Sequence, residues 1–180
     1  MVKRIFDLII AIAGSLIFAP LALLISLLIK LESSGPAVIS TLRTGKDGLL
    51  FHHYRFRTMA GNPPKKTRLG KWIGNLSLDD LPTLYNVLKG DLSIVGPRPE
   101  SPDKVDLNDP EWRKVLSIKP GLTGLGLLTS RDTYNETSIK DRLEPEIFYV
   151  ENSSLLFDIQ LLSKTLYWWL RMGHIKGRFY

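Results

Sequence analysis

The chain contains no cysteine, which excludes disulfides and thiolate metal sites and fits a reducing cytosolic face. Its three histidines, His52, His53 and His174, show no metal-ligand spacing, which argues against a zinc site. Acids are scarce at the start: residues 1–75 carry 11 Lys+Arg against 3 Asp+Glu, and residues 76–180 carry 13 against 15. The net charge of +6 therefore belongs to the N-terminal part. A basic surface there suits anionic lipid headgroups or a phosphorylated substrate. Nucleic acid would use the same charge, but no recognised binding motif interleaves the cations with stacking aromatics. Repeats and low-complexity tracts are absent too, and 180 residues with 44% apolar content form one domain with a core.

Leu8 to Ile29 is a run of 22 residues without a charge, about 33 Å as a straight helix. No small-residue cleavage site precedes Lys30, which argues against a signal peptide. Pro20 falls near the middle and lacks an amide donor, so a break or kink is expected there. Lys3 and Arg4 flank the run on one side, and Lys30, Arg43 and Lys46 on the other, so the positive-inside tendency keeps both ends cytoplasmic. On these residues alone, a kinked span and a hairpin returning to the same face both remain open.

Ala37 to Leu42 and Leu49 to Arg55 are strand-compatible and flank Gly45-Lys46-Asp47-Gly48, which predicts a hairpin. Leu155, Leu156, Ile159, Leu162, Leu166, Trp169 and Leu170 recur at helical spacing. That helix is amphipathic and basic, with Tyr167, Trp168 and Trp169 near its end, and an interfacial position is expected for it.

The densest chemistry lies in Ser77 to Glu100, SLDDLPTLYNVLKGDLSIVGPRPE. Asp79 and Asp80 precede Pro82, a residue at home in a first helical turn, so both acids are expected at a helix start, where unpaired N–H groups favour negative charge. Ser77 with Asp80 three residues later also approximates a capping box, the commoner use of such a pair. Ser93 to Pro99 is rich in Gly and Pro and reads as a rigid loop. Within it Arg98 is a candidate for a fixed guanidinium on phosphate oxygens, or for a salt bridge to a nearby acid.

This segment resembles the signature of the bacterial monotopic phosphoglycosyl transferases. KRIFDLIIA, GPAVISTLRTGKDGLLFHHYRFRTM, TRLGKWI, KPGLTGL and YVENSSLLFDIQLLSKTL follow in the family's order, so the resemblance covers nearly the whole chain. It implies an α+β fold: a mostly helical, membrane-associated domain with an N-terminal re-entrant helix broken at proline, a small β-hairpin and interfacial amphipathic helices. Residues 1–34 would be the re-entrant helix and residues 35–180 the catalytic domain, the two forming one unit at the cytoplasmic face of the bacterial inner membrane. The implied reaction moves a sugar-1-phosphate from a UDP-sugar to a polyprenol phosphate, releasing UMP. Implied partners are these two substrates, membrane lipids and downstream glycosyltransferases, with no nucleic acid.

By the same resemblance, Asp79 is the nucleophile and Asp80 the ligand for Mg²⁺, with both carboxylates catalytic. Arg55, Arg57, Arg98 and Arg131 contact phosphate. Asp158 matches an acidic position of the C-terminal block, in a binding or an ion-pair role. Lys3, Arg4 and Pro20 set the membrane helix. The family usually has Asp-Glu where this chain has Asp79-Asp80, shortening the second carboxylate by roughly 1 Å. It has lysine at the place of Arg55, and glutamine is common at those of Thr41 and Thr83. These departures keep open a non-catalytic, membrane-attached homologue as the alternative.

Overall fold

The computed structural model describes residues 1–129 and 138–172. Helix α1 (Val2–Glu32) is followed by the antiparallel hairpin β1 (Val38–Thr44) and β2 (Leu50–Phe56), in which Ile39 faces Arg55 and Thr41 faces His53. A two-residue ladder, β3 (Met59–Ala60) with β4 (Lys65–Lys66), leads into α2 (Arg68–Asn75). A 3-10 turn over Leu78–Asp80 precedes α3 (Thr83–Lys89). The strand β5 (Ser93–Val95) pairs in parallel with β6 (Gly121–Thr123) across the excursion that holds α4 (Pro110–Val115). Three helices close the chain: α5 (Leu125–Thr129), α6 (Ile139–Asn152) and α7 (Leu155–Met172). The architecture is α+β, as the sequence implied, and the hairpin and the last helix fall where expected.

Three expectations need correction. Helical structure runs through Pro20 without interruption: a proline removes one donor from the ladder, but its fixed φ is compatible with a helix. Ser93–Val95 is a strand rather than loop, because Ile94 and Val95 are buried apolar β-formers and only the Gly-Pro-Arg-Pro that follows is irregular. Ser77 does not cap: it is left-handed, with φ 55, and its side chain accepts no helix N–H. The two acids are therefore not part of a capping box.

Helix α1 belongs to the core. Ala11 packs with Phe51, Val87, Leu92, Ile94, Val95, Tyr149 and Leu161, and Ile25 and Ile29 pack with Ala37, Phe56, Ile73 and Leu78. Both its ends are also tied by polar bonds. Buried Asp7 accepts from Ser93 Oγ and Ile94 N–H. Lys3 donates to Val95 O, Tyr149 OH and Asp158, and Arg4 donates to Val87 O and Leu88 O, two end carbonyls of α3. At the far end Arg57 donates to Ser33 O, Ser33 Oγ and Ser34 O, and Glu32 accepts from Leu69 N–H. Lys3 and Arg4, expected as the basic flank of the membrane helix, thus also bond to the folded body, since buried acceptors lie within their reach.

Helix α3 docks on the edge of β2 that β1 leaves open. Asn86, fully buried, accepts from Tyr54 N–H at 3.0 Å and donates to His52 O at 2.7 Å, and buried Thr83 donates to Tyr54 O at 2.9 Å. Three backbone groups of an otherwise bare strand edge are thereby satisfied. Asn86→Ala leaves two of them buried without partners, each costing about 1–3 kcal/mol. The expected result is a large fall in the thermal midpoint of the detergent-solubilised protein, with the control Asn152→Ala, on an exposed helix end, near the parental value.

Candidate active site

The strand β2 and the turn before α3 bring Arg55 against both acids of the sequence motif. Arg55 Nη2 donates to Asp79 Oδ2 and Arg55 Nε to Asp80 Oδ1, each at 2.6 Å. One planar fork therefore bridges two adjacent carboxylates, a geometry that guanidinium provides and ammonium does not. Asp79 is buried, with 10% of its side chain exposed, while the Asp80 side chain is about a third exposed. Burial, reinforced by the charge of Asp80, pushes the Asp79 carboxyl up to about 6 against the opposing pull of Arg55.

Two further arginines share this region. Period-two alternation puts Arg43, Thr41, His53 and Arg55 on one face of the hairpin. Burial lowers the pKa of Arg43; Glu100 opposes this, while the charges of Arg98 and Arg55 add to it. Arg43 Nη1 donates to Ser101 Oγ at 2.6 Å, and its Nε is buried without a partner. Arg98 is exposed on the loop after β5. Its backbone N–H donates to Glu146 Oε1 at 3.0 Å, while Glu146 Oε2 is buried and unpartnered. Burial, against Arg98, raises Glu146 to about 7. A Cβ at Gly126 would collide with this carboxylate, so glycine there lets the two segments close on Glu146.

His53 completes the group. Thr83 Oγ1 gives its proton to Tyr54 O, so it accepts from His53 Nε2–H at 3.1 Å. The network assigns that tautomer and leaves Nδ1 as a buried acceptor without a partner. Burial holds His53 down at about 4 despite Asp80, and Arg55, Arg43 and Arg98 push it the same way, so the ring is neutral at physiological pH. Among the described residues, unpaired polar atoms of Arg43 and His53 thus lie within reach of the charges of this site, and that of Glu146 lies beside Arg98.

The other expected site residues lie elsewhere. Arg57 closes the end of α1, where backbone carbonyls take its nitrogens. Asp158, 1% exposed, pairs with Lys3 and accepts from Tyr149 OH, the ion-pair arrangement that was one of its two expected roles. Arg131 and His174 lie outside the described residues. Arg43, His53 and Glu146 were missed. Alternation from Arg55 along the predicted strand would have found His53, and Arg43 only once the first strand is extended to Thr44, whereas Glu146 had no signal beyond an acid in a mixed helix.

Mg²⁺, the cation the sequence resemblance implies, fits in a limited way. Asp80 Oδ2 accepts no hydrogen bond among the described residues and is partly exposed. The described residues hold no group of three His, Cys, Asp or Glu that could form an all-protein site. This donor set suits a magnesium ion held by one carboxylate, substrate phosphate and water.

Comparison with known proteins identifies relatives along nearly the whole chain. The chain is 34% identical over 182 residues to the UDP-N-acetylgalactosamine-undecaprenyl-phosphate N-acetylgalactosaminephosphotransferase of Aeromonas hydrophila, covering 92% of this chain and 43% of that protein. It is 35% identical to the UDP-glucose:undecaprenyl-phosphate glucose-1-phosphate transferase of Caulobacter vibrioides, covering 91% and 68%. To the undecaprenyl-phosphate galactose phosphotransferase of Salmonella typhimurium it is 33% identical, covering 91% and 39%. The chain thus spans about two-fifths of two of these relatives and two-thirds of the third. The profile of the bacterial sugar transferases matches residues 1–172, which include the carboxylate pair, its arginine fork and the helix packed beneath them, and the chain belongs to that family.

Proposed function

We propose that the protein transfers a sugar-1-phosphate from a UDP-sugar to a membrane polyprenol phosphate, with undecaprenyl phosphate as the acceptor. The observation that carries this reading is Asp79, a buried carboxylate fixed by Arg55, with the charge of Lys66 also acting on it. The names of the relatives add the substrate classes. In the first step an Asp79 oxygen bonds to the sugar-linked phosphorus, and the bond to the UMP oxygen breaks, UMP leaving with the electron pair. In the second, a phosphate oxygen of the polyprenol attacks the same phosphorus and the Asp79 carboxylate leaves. Covalent catalysis divides a displacement between two anions into two steps. Asp80 would hold Mg²⁺, which supplies charge neutralisation on the diphosphate. The lipid-linked product passes to downstream glycosyltransferases.

The same reading places the chain on the cytoplasmic face of the inner membrane. Ile5, Ile9, Ile12, Leu16, Ile17, Leu23, Leu24, Leu27 and Leu31 of α1 are all half or more exposed, as are Leu156, Leu166, Tyr167 and Leu170 of α7. So large an apolar surface suits lipid. Because both ends of α1 are bonded to one folded body, the helix lies along that body and its ends stay on one side of the bilayer. Single-cysteine variants Val2→Cys and Ser34→Cys are expected to react with an impermeant maleimide only in inside-out vesicles. Labelling of Val2→Cys from the periplasmic side would establish a span.

Asp79→Asn keeps the shape and removes the anion, so UMP release from UDP-sugars with undecaprenyl phosphate should fall by several orders of magnitude while the fold survives. A phosphosugar adduct on the Asp79 peptide is expected by mass spectrometry in the parent alone. Release at the parental rate would refute the assignment. The competing reading, a homologue without catalysis, draws on the two bonds from Arg55 that cover the pair, and an absence of UMP release with every UDP-sugar would favour it.

The raised pKa gives a pH signature. The attacking form is the ionised one, so the first step weakens as pH falls through the folded-state value. The initial burst of UMP should halve near pH 6, where an Asp at its ordinary value of 3.8 would sustain it to lower pH. His53, already neutral there, contributes no step of its own in that range.

A further inference from the structure

We infer that Arg55 is a latch shared between the carboxylate pair and the substrate's phosphates, so that Asp80 binds a divalent cation more tightly once an anionic ligand draws the guanidinium away. The inference rests on the phosphoryl-transfer reading of the site. Its observation is the double bond of one fork, Nη2 to Asp79 and Nε to Asp80, both at 2.6 Å. The fork occupies one oxygen of each carboxylate and neutralises one of their two charges, so a cation approaching the free protein meets both like-charge repulsion and a pre-paired ligand. A diphosphate is a stronger bidentate acceptor, and guanidinium binds it in the same planar geometry. Arg43 and Arg98, whose charges act on the same space, draw that anion in. Exchange leaves no ion stranded: Arg55 passes from carboxylate to phosphate as Asp80 passes from guanidinium to metal. That order matters, because breaking a partly buried pair without replacement is costly.

A lysine at this position would make a single-point contact and hold the pair less firmly. The resting site of this chain is therefore weakened toward metal by its own arginine, although Asp80 Oδ2 stays open. Arg55 acts here as a positioning residue, and metal affinity reads its role without turnover.

The test is calorimetric, on the detergent-solubilised full chain. MnCl₂ titrated into metal-free parent protein should bind at least tenfold more weakly than into Arg55→Gln, and adding Asp80→Asn to Arg55→Gln should abolish the gain. Inorganic pyrophosphate in metal-free buffer should bind the parent at least tenfold more tightly than Arg55→Gln. Arg55→Lys, which keeps the charge without the fork, should bind Mn²⁺ more tightly than the parent and decides the matter should Arg55→Gln fail to fold. Equal Mn²⁺ affinity in parent and Arg55 variants would overturn the latch. So would a gain in Mn²⁺ affinity with no loss for pyrophosphate, which would make Arg55 a brace only. UMP release is measured separately: its absence beside the expected titrations removes the reaction and leaves the latch, and its presence beside unchanged titrations does the reverse.

Discussion

The structure depends on how one asparagine closes a bare strand edge. The hairpin satisfies only the inner edge of β2, and its outer N–H and C=O groups need partners if they are to be covered. Asn86 answers with a matched pair, amide oxygen to Tyr54 N–H and amide nitrogen to His52 O, while Thr83 takes Tyr54 O. A helix bonded to that edge can sit in one register only. Because Arg55 follows Tyr54 on the strand and Asp79 and Asp80 precede Thr83 on the chain, the same register fixes the arginine fork on the two carboxylates. Fold and site thus share one constraint.

Helix α1 obeys a related logic. An apolar helix packed only through aliphatic side chains slides and rotates at small cost, and lipid offers it equal apolar contact on any face. Asp7 removes that freedom, because a buried carboxylate is tolerable only opposite its Ser93 and Ile94 donors. Lys3 and Arg4 lock the first turn and Arg57 the last. The helix is thereby a structural member of the catalytic body, and β5, which leads directly into the loop bearing Arg98, hangs from its first two turns.

What the sequence disclosed follows from the range of each interaction. The hairpin, the last helix and the acids before Pro82 rest on local periodicity and turn chemistry, and all three are where their patterns placed them. Lys3 and Arg4 were read as flanks of the membrane helix, Arg57 as a phosphate contact and Asp158 as a binding or ion-pair residue. Their partners lie far along the chain, at Asp158, Val87, Ser33 and Lys3, and no local pattern announces a pairing across 155 positions. Ser93–Val95 was hidden for the same reason: a three-residue strand exists only because Gly121–Thr123 runs beside it, and a Cβ at Gly121 would collide with Gly96. His53 differs, since two-residue alternation already put it beside Arg55, and Arg43 joins it only once the first strand is extended to Thr44.

The charges at the site are arranged for exchange rather than for vacancy. Cations left unpaired in a half-buried basin would repel one another, and Arg43, whose affinity for its proton is lowered first by burial, also feels the charges of Arg98 and Arg55. Pairing Arg55 with two carboxylates relieves that repulsion in the free protein and stores the guanidinium in the planar geometry a diphosphate requires. An incoming anion then finds donors already oriented and partly desolvated, so little reorganisation accompanies binding. The neutral His53 and the unpartnered oxygen of Glu146 set acceptors at the rim of this cationic space. Such acceptors repel anionic oxygens and attract hydroxyl or amide donors, so the space has two chemically different walls.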